Sequence, residues 1–407
     1  MPTDAPPQLS FAHVLYVDLV GYSRLLMEQQ VQRIQQLQQI VQNTPTYRSH
    51  GDGDDLISLP TGDGMALAFF GSPAAPAECA VEIAAAIRDR DEIRLRMGIH
   101  SGPLYHVNDI NANGTAVYIS QNWGDNLFQP NSVLDLFSQL TVEKHIDLQP
   151  GTHAGAEIGG LLGGGDTHVL NNVHRWFAEH LKGESGAMEN QKPVNMKVKF
   201  TSGYQQYDAF PVPEAYEQTF YLQPRNLFSN GRLSDSPFQS WRAQDNSINS
   251  LFDTVATTQV PLLSQILEQL DVPVLANMAH VARPHGIVFE TSRQWSTMQI
   301  RGNAELSLMV QPKSDTLHLV AYLYDVNLFG TGKLITHKPI TVHQTSAGDT
   351  IRVDFPLTTV AYDIPAGNKL ALVIDSKDLL YAGPAGVRTI DFEFSNSEQS
   401  TLTVPLL

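Results

Sequence analysis

The first hundred residues alternate between two periods. "HVLYVDLV" (His13 to Val20) is a short β-rich run that stops at Gly21. Beyond it, Leu25, Met27, Val31, Ile34, Leu37 and Val41 recur near helical spacing and predict a helix. "DDLISLPTGDGMALAFFG" holds two apolar runs around "TGDG", a hairpin signal. Pro76 to Arg88 carries Ala, Val and Ile at helical spacing, and "IRLRMGIHSG" is a strand ending in glycine. The order strand, helix, strand, strand, helix, strand predicts a ferredoxin-like split β-α-β unit over residues 1–114.

A second pattern begins after Gly114. "AVYISQNWGDN" is a strand feeding a polar loop, Pro130 to Leu140 is helical, and "KHIDLQPGTH" is a strand and then a loop. Thr167 to Leu181 reads as a helix with Trp176 and Phe177 in its core. "GGLLGGGD" (Gly159 to Asp166) predicts a flexible loop, without the Lys-Ser/Thr ending of a P-loop. Residues 115–189 thus predict a partial α/β segment. From about Pro193 the texture is all-β, with short strands between turn residues, interrupted by one helical insert at about Leu251 to Leu270. In "LHLVAYLY", Leu317, Leu319, Ala321 and Leu323 share a face. This spacing predicts a two-sheet jelly-roll β-sandwich over 190–407. Tyr322 and Tyr324 are expected to pack between its sheets or against the preceding domain, with a substrate or sugar platform as the alternative. The fold class expected is multidomain, α/β plus all-β.

Charge narrows the partners. The 407 residues carry a formal net charge of −16, which argues against a nucleic-acid or anionic-membrane binder. A small nucleotide held through metal ions is not excluded. The lone cysteine, Cys79, permits no intrachain disulfide. The N-terminus has no basic region followed by an apolar one, and the apolar window Met65 to Ile87 is broken by Pro73, Pro76, Glu78 and Glu82. A soluble cytoplasmic protein is expected, with a homo-oligomer left open. His168, His174 and His180 recur every six residues, about 120° apart on a helix, and share no face for a metal. His13 reads as structural.

Two constellations carry chemistry. Asp18 closes the first strand and Asp63 sits in the hairpin turn. In the predicted sheet both carboxylates can face one point, where they can hold Mg²⁺ or Mn²⁺. A strand-end cap and a turn aspartate are the simpler reading. "LYVDLVGYSRLL", "LPTGDGMALAFFG" and "LRMGIHSGPL" together resemble the N-terminal half of a class III adenylate/guanylate cyclase catalytic domain, over about 11–114. The resemblance implies that Asp18 and Asp63 are the two metal-binding aspartates and that a nucleoside triphosphate is the partner. Where many adenylate cyclases place a purine-selecting lysine this chain has Leu59, and the family's asparagine and arginine do not follow Asn113. Without those donors cyclase turnover is not expected.

Asp125 follows one strand and His153 follows the next, 28 positions on. Strand-end loops project catalytic groups, and an aspartate orienting a histidine is the logic of nucleophilic hydrolysis. A loop aspartate and a surface histidine are the plain alternative. "VYISQNWGDNLFQPNSVLDLFSQL", "HIDLQPGTHAG" and "VHRWFAEHLKG" resemble the end of the α/β-hydrolase domain in the X-Pro dipeptidyl-peptidase and cocaine-esterase family of acyl hydrolases. "IRGNAELSLMVQPKSDTLHLVAYLYDV" and "VAYDIPAGNKLALVIDS" resemble its C-terminal jelly roll, so the likeness spans about 116–407. It implies Asp125 and His153 as triad acid and base, acting on a small acyl, ester or peptide substrate. The nucleophile's G-x-S-x-G elbow is not found: "GYSRL", "GIHSG" and "GESGA" each depart from it. The expectation is a hydrolase-like chain that is impaired or inactive alone. Its rivals are a cyclase-like nucleotide module, a non-catalytic binding protein and a functionless fusion joined near Gly114–Ala116.

Overall fold

The computed structural model describes residues 9–20, 22, 27–51, 55–61, 64–88, 90, 93–105, 116–125, 129–153, 155–254, 266–381 and 383–407. The chain divides into two compact units, Met1–Gly114 and Thr115–Leu407.

The first unit contains β1 (Leu9–Leu19), α1 (Met27–Gln42), α2 (Pro45–His50), β2 (Leu56–Pro60), β3 (Gly64–Phe69), α3 (Ala75–Ile87) and β4 (Leu95–Tyr105). The strands form one sheet of order β2-β3-β1-β4, every neighbouring pair antiparallel. Alternate residues Leu15, Val17, Leu19 and Met65, Leu67, Phe69 present one apolar face. That face shares a core with Leu37, Ile40 and Val41 of α1 and Cys79 and Ile83 of α3. The short α2 escapes the periodicity because it is set by its start. Thr44 caps it by accepting from the Tyr47 N–H, and Pro45 occupies its first turn. Glu82 of α3 then accepts from the Thr46 N–H and Oγ1, both at 2.9 Å. His13 is buried, with Nδ1 2.7 Å from Ser101 Oγ, a structural position.

The second unit begins with β5 (Ala116–Asn122), α4 (Pro130–Gln139), β6 (Glu143–Gln149), α5 (Gly155–Leu162), α6 (His168–Lys182), β7 (Val194–Lys197) and β8 (Tyr204–Tyr207). These strands form a sheet of order β5-β6-β7-β8, parallel across the first three and closed by antiparallel β8. Three expectations change here. The all-β region was expected from 190, yet β7 and β8 extend the α/β sheet, because the helical crossover through α6 returns β7 parallel to β6. The glycine-rich stretch is not all loop, since Gly159–Leu162 are the last turn of α5. Gly160 makes that turn fit: a Cβ there would lie 2.9 Å from Thr167 Cγ2 and 3.2 Å from Leu170 Cδ1. Trp176 is buried but Phe177 is half exposed, since adjacent helical residues point about 100° apart.

Fourteen strands between Tyr216 and Leu406 form the β-rich remainder. Of the helical insert, 251–254 is not helical, 255–265 lies outside the described residues, and 266–269 is helical. Strand Thr316–Val326 is buried on both faces. Leu317, Leu319, Ala321 and Leu323 enter the main core, while Val320, Tyr322, Tyr324 and Val326 enter a second with Val288 and Val373. Burial on both faces is why this segment reads as an unbroken apolar run. Arg301, 1% exposed, ties this region to the α/β sheet. It donates to Gln205 Oε1 at 2.7 Å and Tyr207 Oη at 2.9 Å, and pairs with Asp363. Among the described residues no helix is long and apolar enough to cross a membrane.

Candidate functional site

Parallel pairing decides where the site lies. Because β5 and β6 run in register from Ala116↔Glu143 to Asn122↔Gln149, their following loops leave the same edge of the sheet. Asp125 sits three residues past β5 and His153 four past β6. The loops are stitched together by backbone bonds, Trp123 N–H to the Gln149 carbonyl at 2.8 Å and Gly124 N–H to the Gly151 carbonyl at 2.9 Å. Gly124 approaches so closely that a Cβ there would lie 2.7 Å from Gly151 O. Gly151 has φ +143, a conformation side chains rarely adopt.

The result is a formed pair. His153 Nδ1 lies 3.0 Å from Asp125 Oδ2, with the aspartate side chain 4% exposed and the imidazole 45% exposed. A carboxylate only accepts, so the shared hydrogen belongs to Nδ1 and the lone pair of neutral imidazole is left on Nε2. That is the arrangement of a general base held by a buried acid.

A polar layer supports these loops. Tyr118, Ser120 and Asn122 of β5 and His145, Asp147 and Gln149 of β6 share one sheet face by strand alternation. Glu157 of α5 accepts from Ser120 Oγ at 2.6 Å, Asn122 Nδ2 at 2.8 Å and Gln149 Nε2 at 3.1 Å. Asn122 also donates to the Thr152 carbonyl at 3.1 Å. Deeper in, Asp147 is fully buried. His145 Nε2 and His168 Nε2 each lie 3.4 Å from its Oδ1, while Asn172 Nδ2, at 3.1 Å, and Tyr118 Oη donate to its Oδ2. Burial alone raises the Asp147 pKa, but donors led by His145 and His168 hold it well below the ordinary carboxylate range. Burial, with Asp147 alongside, pushes the Tyr118 phenol far above its ordinary value. Neither Asp147 nor Glu157 stands out in the sequence. The available signal was the alternation of His145, Asp147 and Gln149 along one strand.

The other predicted pair is half visible. Asp18 is half-buried near the end of β1, and Asp63 lies outside the described residues. The register pairs Asp18 with Gly64, the residue after Asp63, and a Cβ on Gly64 would lie 2.8 Å from Asp18 Oδ1. Among the described residues no group of three His, Cys, Asp or Glu side chains is arranged to hold a metal ion.

Comparison with solved structures finds the same architecture. A CocE/NonD family hydrolase from Staphylococcus aureus superposes with a TM-score of 0.54 at 14% identity, over 72% of this chain and 54% of that one. An α-amino acid ester hydrolase gives 0.56 at 13%, over 72% and 56%. An aminopeptidase from a marine sediment Thaumarchaeota archaeon gives 0.54 at 12%, over 71% and 54%. At such identities the likeness is one of fold, and this chain spans just over half the length of each. No curated protein matches the sequence. Residues 185–400, more than half of the chain, match the model of the X-Pro dipeptidyl-peptidase C-terminal non-catalytic domain, and the chain belongs to that family.

Proposed function

We propose that the second unit is the acid–base half of a serine acyl hydrolase of the X-Pro dipeptidyl-peptidase or esterase kind, with Asp125 orienting His153 and a jelly roll behind them. The observation that carries this reading is the 3.0 Å His153–Asp125 contact at the shared edge of two parallel strands. His153 would take a proton from an attacking hydroxyl or water and return it to the leaving group, while Asp125 stabilises the imidazolium. The substrate class is a small acyl, ester or peptide compound. No G-x-S-x-G elbow precedes Asp125 in the sequence, so activity of this chain alone should be weak. A fluorophosphonate probe and an activated-ester assay test this together. Labelling at a serine located by mass spectrometry, or turnover abolished by His153→Gln, supports it. Absence of both leaves a non-catalytic binding protein, in keeping with the description of the matched domain.

The Asp18↔Gly64 register favours a second reading for the first unit. Asp63 directly precedes Gly64 in the sequence, and the reading is a cyclase-like module in which Asp18 and Asp63 would hold Mg²⁺ or Mn²⁺ with a nucleoside triphosphate. Such a module should bind ATP or GTP in a metal-dependent manner, and Asp18→Ala should lose that binding. Failure to bind at millimolar nucleotide rejects the module.

A further inference from the structure

We propose that Gln269, carried by the short helical stretch 266–269 at the end of the insert in the β-rich region, positions His153. The inference rests on the hydrolytic reading of the Asp125–His153 pair. Gln269 Oε1 accepts from both the Thr152 N–H, at 2.9 Å, and Thr152 Oγ1, at 2.7 Å. Thr152 is the residue immediately before His153. In the next peptide, which joins it to His153, the Thr152 carbonyl accepts from Asn122 Nδ2 and the Gly155 N–H. The backbone leading into the histidine is therefore held from two directions. The fit is close, since a Cβ on Gly155 would lie 2.2 Å from Gln269 Oε1.

The neighbouring residue meets the other half of the pair. Glu268 Oε2 lies 3.3 Å from where a Cβ on Gly124 would stand, and Gly124 immediately precedes Asp125. Two consecutive residues thus abut the residues that lead into the base and into its acid.

The stretch is anchored firmly enough to act as a template. Glu268 Oε1 lies 3.7 Å from His337 Nε2, and burial is offset by His337 and Lys199, which hold its carboxyl below its ordinary range. Leu267 packs on the second apolar cluster with Tyr322 and Val373. Asp271 accepts from the Phe200 N–H at 3.0 Å and pairs with Lys197 Nζ at 3.5 Å. Each donor–acceptor bond of the clamp shifts a local equilibrium by up to roughly tenfold. Loosening the backbone that carries His153 would weaken the Nδ1 contact with Asp125 and so lower the share of the Nδ1–H form.

The test reads that tautomer in the full chain. Ring ¹⁵N shifts of ¹⁵N-histidine protein, at a pH where the imidazole is neutral, are assigned by loss of the signal in His153→Gln. Wild type should show the Nδ1–H form, Gln269→Ala should move the tautomer ratio toward Nε2–H several-fold, and Gln269→Glu, which accepts the same two bonds, should restore it. Thr152→Val removes one bond from the opposite side and should give a smaller shift, a second measure should Gln269→Ala not fold. Val353→Ala, a truncation in the distant main core, should leave the ratio unchanged. An unmoved ratio in Gln269→Ala and Thr152→Val, or an equal shift in Val353→Ala, overturns the proposal. A moved ratio without probe labelling or ester turnover keeps the positioning role and rejects the hydrolytic reading instead.

Discussion

Asp147→Ala should lower the stability of the second unit at pH 7 by about 3–5 kcal/mol, the range expected when one partner of a buried, multiply bonded charge is removed. The side chain is fully buried and draws His145, His168, Asn172 and Tyr118 to one carboxylate. Its loss leaves those four groups without their shared acceptor, each of them at the cost of desolvation already incurred. Asp147→Asn keeps the size and one acceptor and should cost less. The sign of the pH dependence follows from the lowered pKa of Asp147. A carboxylate held below its unfolded value stabilises fully above about pH 4 and loses that contribution as pH falls toward the folded value. The gap between wild type and Asp147→Ala should therefore be widest at neutral pH and narrow in acid. Trp123 and Trp176, both buried at this sheet, report the transition by fluorescence in urea series at pH 7 and pH 3. A constant gap across that range would show that Asp147 acts by packing alone.

Much of this architecture is written in the sequence at the level of elements. Strands β5 and β6 follow from apolar runs closed by polar loops, and α6 follows from the helical reading of Thr167 to Leu181. The 3.0 Å His153–Asp125 contact joins two residues selected by resemblance and by their place after successive strands. What one-dimensional pattern does not carry is partnership. β7 looks like any strand of the region after it, because Val194, Asn195 and Met196 are buried on both faces wherever they pair. Only the return path of α6 assigns it to β6. The Asp147 centre is illegible for a related reason. Its members come from β5, β6 and α6, and each taken alone is an ordinary polar residue. Gln269 lies 117 positions from Thr152, on a stretch whose helical signal says nothing of what its amide reaches. The Tyr322 and Tyr324 rings were legible as core, while the acids around them were not.

Those acids lead to the opposite pH response. Stability of the β-rich region should fall as pH rises above about 4, and Asp375→Asn should flatten that slope. Asp375 is buried at 1% exposure and accepts from Thr254 Oγ1 at 2.8 Å. Tyr322 Oη stands 3.4 Å from Asp375 Oδ1 and also bonds Asp378 Oδ2, the shorter of the two contacts. A phenol has one hydrogen. If Tyr322 gives it to Asp378, the bond to Asp375 exists only when Asp375 is the donor, that is, protonated. Burial and the nearby Asp378 and Asp253 favour the same state, raising Asp375 well above its ordinary value. Asp253 moves the same way, up to about 6, through burial and Asp378. Lys377 opposes that shift. Asp378 Oδ1 accepts the Leu380 N–H, while Tyr324 Oη is buried without a partner. Raised pKa values mean the native state holds more protons than the unfolded chain, so the contribution is complete below the ordinary carboxylate range and is lost as pH rises through the folded values. Asp375→Asn supplies a permanent donor toward Tyr322 and an acceptor for Thr254, with nothing to ionise. The variant should match wild type near pH 4 and exceed it at pH 7 and pH 9 in chemical denaturation. Parallel curves at all three values would show that Asp375 does not hold a proton that the unfolded chain loses.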